Sequence, residues 1–271
     1  MAACADLFHR GLPLSDHETG RAQGSVPQVS ASAGYTRPVE ESQPAPKREP
    51  LFNLSRCVVL FLLLCIGIHI VRTQFLSADA DDALIVRAAF IPVFYSGRYG
   101  FDLFSVTAPV TYSLLHGSFI HLAVNSVWLA AFGSPLAARL GCLRFVLFWI
   151  VTSIAGAALF YAFNPSLLAP LVGASGAISG MMGAAGRFGF QIDRGTTPSA
   201  FHGRPLTIAE ALSSRQVIVF LGVWAAINLA TGFLGAGSGG AGRVAWEAHF
   251  GGFLVGFFSL PLFLPRAAPA A

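Results

Sequence analysis

Charge is scarce in this chain. Of 271 residues only 11% are Asp, Glu, Lys or Arg, while 54% are hydrophobic. A soluble domain carries about 25% charged residues, so a water-soluble fold is excluded and a membrane protein is expected. Acidic residues are missing altogether between Asp102 and Asp193, a gap that soluble folds seldom tolerate. Cysteine is sparse too. Cys4, Cys57, Cys65 and Cys142 form no CxxC pair and no metal-ligand spacing, so they read as free thiols. No His-Glu-x-x-His segment supplies a zinc site, and no Gly-x-Gly-Asp pairing supplies an aspartyl one. The net charge of +4 fits membrane orientation better than nucleic-acid binding. Residues 1–50 lack any hydrophobic period and are rich in Pro, Ser, Gly and Arg, which predicts a disordered tail. A secretory signal is not expected, because the first long apolar run begins only near Cys57.

What is present is a series of apolar runs. Cys57–Val71, extending to about Leu76, is the first candidate span, since a bilayer core needs about 20 apolar residues per helix. Five more follow: Phe119–Leu136, Phe145–Phe163, Val172–Phe190, Gln216–Phe233 and Val244–Leu264. The fourth and sixth are weakened in hydropathy by their glycines, yet glycine is common in packed membrane helices. Six spans place thirteen basic residues on one side and four on the other (Arg72, Arg87, Arg98, Arg243). The positive-inside rule then sets both termini in the cytoplasm. The first outer connection, Ser77–Leu115, is long and mixes Asp79, Asp81 and Asp82 with apolar clusters at 83–87 and 90–94. Such a loop is expected to fold against the membrane interface rather than hang free.

Polar residues inside these runs stand out because they are costly there and usually face a cavity or a partner. The fourth span opens with Leu171-Val-Gly-Ala-Ser-Gly-Ala-Ile-Ser-Gly180, where Gly173 and Gly176 leave the backbone bare around Ser175. A lone serine there reads equally as a helix cap. The second span begins His116-Gly-Ser-Phe-Ile-His121-Leu-Ala-Val-Asn125. His121 and Asn125 share a helical face, with His116 at or just before the helix start. They suit interhelical hydrogen bonding or a site. The sixth span carries His249 beside small residues at 248, 252 and 256, and the fourth has glycines at 176, 180 and 183. Two such smooth helices can pack near contact, bringing His249 within reach of Ser175 as a general base. Glu247 lies about 200° around the helix from His249, so the expectation is a Ser–His dyad without an acid. Unpaired backbone N–H groups at the head of the fourth helix, with His121 and Asn125, suit an oxyanion role.

Gly173-Ala-Ser175-Gly176, His116-x4-His121-x3-Asn125 and Ala248-His249-x2-Gly252-x3-Gly256, in this order on these spans, resemble the rhomboid family of intramembrane serine proteases. The resemblance covers roughly residues 57–264. It implies an all-α integral membrane protein, a six-transmembrane-helix bundle with a long first outer loop and a water-accessible cavity. Ser175 would be the nucleophile and His249 the base. His121, Asn125 and the Ser175 N–H would hold the oxyanion. His116, Gly173 and Gly176 would support the site. Neither a metal nor a cofactor is implied. Expected partners are transmembrane protein substrates and the lipid bilayer, not nucleic acid. The implied organisation is a cytoplasmic tail over 1–50, a protease domain over 51–265 and a cytoplasmic end at 266–271, in a bacterial inner membrane. Two positions depart from the pattern. Ser179 stands where some members carry an aromatic residue, and Arg98-Tyr99 is the nearest substitute for a Trp-Arg pair in the first loop. A non-catalytic rhomboid-like binder of membrane proteins is the alternative. A transporter or channel would call for acidic residues or broken helices at mid-membrane, which the sequence lacks.

Overall fold

A computed structural model describes residues 54–235 and 244–265. The expected tail, Cys4 and the end segment 266–271 lie outside the described residues.

The apolar runs fold as helices, as backbone polar groups in a bilayer must be satisfied within their own segment. Helix α1 spans Arg56–Gln74. The long first connection then proves to be largely helical. Ser77 accepts a hydrogen bond from the Ala80 N–H and opens α2, Ala78–Ala88. Asp102 and Ser105 form a reciprocal capping box that opens α3, Leu103–Thr111. The Ser105 N–H and hydroxyl hold the Asp102 carboxyl below its usual range. Between these helices, Phe90 and Leu171 exchange backbone hydrogen bonds of 3.2 and 2.8 Å, and Val93 N–H donates to Leu167 C=O. This fastens the connection to the segment that leads into the fourth run.

Helix α4, Phe119–Trp128, is capped by the Ser118 hydroxyl. It continues through a π-turn at Leu129–Gly133 into α5, Ser134–Leu140. Helix α6 covers Cys142–Phe163 and α7 covers Ser175–Arg187. A two-stranded hairpin (β1, Ile192–Asp193; β2, Ala200–Phe201) and the short α8, Ile208–Ser213, lead to α9, Arg215–Gly235. Helix α10, Trp246–Phe263, completes the described chain. Four stretches are long and apolar enough to cross a membrane: Arg56–Gln74, Phe119–Leu140, Cys142–Phe163 and Arg215–Phe233. The fourth and sixth runs are not among them. Helix α7 is only 13 residues long, short of the roughly 20 a bilayer core needs, and every residue from Gly176 to Arg187 is buried. A helix jacketed by protein needs small surfaces to fit its neighbours, not an apolar exterior for lipid.

Glycines set how closely α7 and α10 approach. A Cβ on Gly252 would collide with the Gly176 carbonyl, and one on Gly256 with the Gly180 carbonyl. A Cβ on Gly183 would sit 2.6 Å from the Phe253 carbonyl oxygen. The pairing advances four residues on each helix per step, so the two run parallel, with the first turn of α7 against the second turn of α10. That register puts Ser175 and His249 at one depth.

The free-thiol reading needs correction at two positions. Cys57 and Cys142 form a disulfide with a Cα–Cα distance of 5.6 Å, while Cys65 is a buried free thiol. Eighty-five residues separate the two half-cystines, so local spacing carried no trace of a pairing that arises from the packing of α1 on α6.

Candidate active site

Helix α7 starts at Ser175, but the residue does not cap it. Ala174 occupies the N-cap position and no side chain satisfies the first turn. The Ser175 Oγ instead lies 2.7 Å from Nε2 of His249. A hydroxyl and an imidazole at that distance can pass a proton, which activates the oxygen as a nucleophile.

Gly173 brings the chain into the helix through a left-handed turn with φ +121°. A Cβ there would lie 2.6 Å from Cε1 and 2.7 Å from Nε2 of His121, and 3.6 Å from Nδ2 of Asn125. Only glycine meets both the dihedral and the space. Gly176 has a different part: a Cβ there would lie 2.9 Å from the Tyr112 hydroxyl and 3.4 Å from the Ala248 carbonyl oxygen of α10. It packs helices rather than baring the Ser175 hydroxyl, which refines the expectation of two glycines around one oxygen.

His121 and Asn125 stand one turn apart on α4 and line the same cavity as Ser175 and His249, a space of about 850 Å³. Asn125 is buried, and its Nδ2 has no hydrogen-bond partner among the described residues. A buried donor without an acceptor is costly. It becomes useful where an anion forms. His116 is off the cavity wall and fully buried, its ring 5.2 Å from that of His121. Its carbonyl accepts from Arg72, which also pairs with Asp81 at 2.6 Å. Among the described residues no group of His, Cys, Asp and Glu is arranged to hold a metal ion.

Glu247 is buried with Oε1 3.1 Å from the Asn164 amide, directed away from His249. The third polar group at the imidazole comes from elsewhere. Asn228 of α9 places Oδ1 2.5 Å from His249 Nδ1. Sequence reasoning missed it by searching for acids alone. The cue was available: an amide four residues after Trp224, inside an otherwise apolar span, is costly unless it serves something. The cavity wall beyond the polar cluster is apolar. Trp128 of α4 and Phe220, Val223 and Ile227 of α9 flank it, and several of these side chains face outward as well.

The model of the rhomboid domain matches residues 104–266, more than half of the chain. The chain belongs to the rhomboid family. RHOMBOID-like protein 5 of Arabidopsis thaliana is 31% identical to it over 144 residues, which is 53% of this chain and 40% of that protein. The chain thus spans well under two thirds of that relative's length. All of Ser175, His249, His121, Asn125 and Asn228 fall inside the rhomboid match, whereas α1 and α2 precede it.

Proposed function

We propose that this rhomboid is an intramembrane serine endopeptidase that cleaves peptide bonds in or beside transmembrane segments of membrane-protein substrates. The observation that carries the reading is the 2.7 Å contact between Ser175 Oγ and His249 Nε2 at the wall of a large cavity. In the proposed reaction the Ser175 hydroxyl gives its proton to Nε2 as Oγ attacks the scissile carbonyl carbon. The resulting oxyanion takes hydrogen bonds from the Ser175 N–H, Asn125 Nδ2 and His121, where the positive end of the α7 dipole also points. His249 returns the proton to the leaving amine. Water then repeats the sequence on the acyl-enzyme, releasing the new carboxyl end and restoring Ser175.

Substrate access fits the apolar flank between α4 and α9, which offers a transmembrane helix a surface like the one it leaves. The same reading makes α7 and α10 the fourth and sixth of six spans, α7 enclosed by the other helices and α10 turning Leu254, Phe258 and Leu262 outward. It keeps both chain ends cytoplasmic on the basic-residue asymmetry, within a multi-pass bacterial inner-membrane protein.

A fluorophosphonate probe tests the proposal directly. The protein should be labelled, with the adduct on Ser175, and denaturation beforehand should abolish the labelling. A folded protein that resists the probe is instead a rhomboid-like binder of membrane proteins. Asn125→Ala should lower turnover of a single-span reporter by about 10²–10³-fold, the loss typical for one oxyanion donor. An unchanged rate would remove Asn125 from the oxyanion site.

A further inference from the structure

We infer that Asn228 is a positioning residue for His249, selecting the imidazole tautomer and ring orientation that let Ser175 lose its proton; this rests on the reaction proposed above. Three observations lead there. The Asn228 amide is itself oriented, because Nδ2 donates to the Trp224 carbonyl at 2.7 Å. Turning the amide over would set two carbonyl oxygens against each other. Oδ1 therefore faces His249, and an amide oxygen can only accept. The imidazole nitrogen 2.5 Å away, Nδ1, must then carry the proton. A neutral ring has one N–H, so Nε2 is left with a free lone pair toward Ser175 Oγ.

The ring has little else to hold it. Among the described residues no aromatic side chain stacks on His249, and the position one turn beyond Ser175 is the small Ser179. Other groups around the ring do not replace the amide. Ser175 engages Nε2 from α7. His121 faces the same cavity from α4, and Glu247 is turned toward Asn164. The two edge-on hydrogen bonds, one from α7 and one from α9, thus fix the ring between them. Asn228 is neutral, so it sets geometry and tautomer without adding a counter-charge to the imidazolium. The arrangement is analogous to the Cys-His-Asn variant of the triad.

The test uses the full chain reconstituted in lipid with a single-span reporter. Asn228→Ala should lower kcat by about 10- to 100-fold, by analogy with the loss of the hydrogen-bond partner that orients a metal-bound histidine. KM should stay within about twofold, and the rate of fluorophosphonate labelling should fall in step with kcat. Nitrogen NMR of histidine-labelled protein should find the His249 proton on Nδ1 in the parent and divided between the two nitrogens in Asn228→Ala. Asn228→Asp keeps an acceptor at the same place and should recover most of the lost rate. Two results overturn the inference: an Asn228→Ala enzyme within about twofold of parent kcat, or a parent His249 protonated at Nε2. Should Asn228→Ala fail to fold, the parent spectrum and the Asn228→Asp rate still decide. Ser175→Ala separates the two levels. If it still cleaves, the proposed reaction itself fails; if it is inactive while Asn228→Ala is not, only the role of Asn228 falls.

Discussion

Replacing Ser175 with alanine should cut cleavage of a co-expressed single-span reporter by about 10⁶-fold, to below detection. The protein should accumulate in the membrane at its normal level. The structural cost is small because the hydroxyl caps nothing: the N-cap is Ala174 and the first turn has no side-chain acceptor. What disappears is the oxygen held 2.7 Å from His249 Nε2. His249→Ala should cost about as much, and the double variant no more than either single one, since two groups acting as one unit are not additive. Cleavage that survives in Ser175→Ala would end the protease reading.

Gly252→Ala is expected to be the most damaging change outside the polar cluster. A Cβ there runs into the Gly176 carbonyl, which is backbone and cannot swing aside as a side chain would. The helices must separate, and the separation falls next to the reacting pair. Gly176 directly follows Ser175, and Gly252 sits one turn beyond His249. Overpacking of this kind costs about 1–3 kcal/mol, more where the backbone cannot give. We expect a lower unfolding temperature together with fluorophosphonate labelling near background. Gly222→Ala on α9 is the matched control, for nothing lies within 4 Å of its added Cβ. It should keep full labelling and gain up to about 1 kcal/mol from helix propensity. Equal behaviour of the two variants would show that α7 and α10 are not in backbone contact.

Much of this architecture is legible in the chain because membrane burial writes itself locally. The run that becomes α1 and the run that becomes α6 announce themselves by hydropathy alone. The stretches around α7 and α10 do not: α7 is short and enclosed by protein, and the glycines and polar residues at the start of α10 dilute its apolar outer face of Leu254, Phe258 and Leu262. Their glycine spacing was the legible feature, and it does mark the contact face. In the first connection the apolar clusters at 83–87 and 90–94 pointed to order, but not to α2, to α3 or to the Phe90–Leu171 pairing. Within the polar cluster, Gly173 and Gly176 looked equivalent in sequence. One meets His121 and Asn125, the other Tyr112 and α10, because Gly173 lies in the left-handed turn before the N-cap while Gly176 is already in the first turn of α7.

From the sequence alone came the class, a helical membrane protein, and the kinship with rhomboids, carried by three polar motifs on apolar runs. These depend on composition and on spacing within single helices, which the chain states directly. Only the tertiary structure decided which side chains meet. Ser175 and His249 are 74 residues apart, His249 and Asn228 21, Cys57 and Cys142 85. Each meeting depends on where one helix crosses another. The glycines that set the approach of α7 to α10 can be counted in sequence, but the register in which they interlock exists only once both helices are packed.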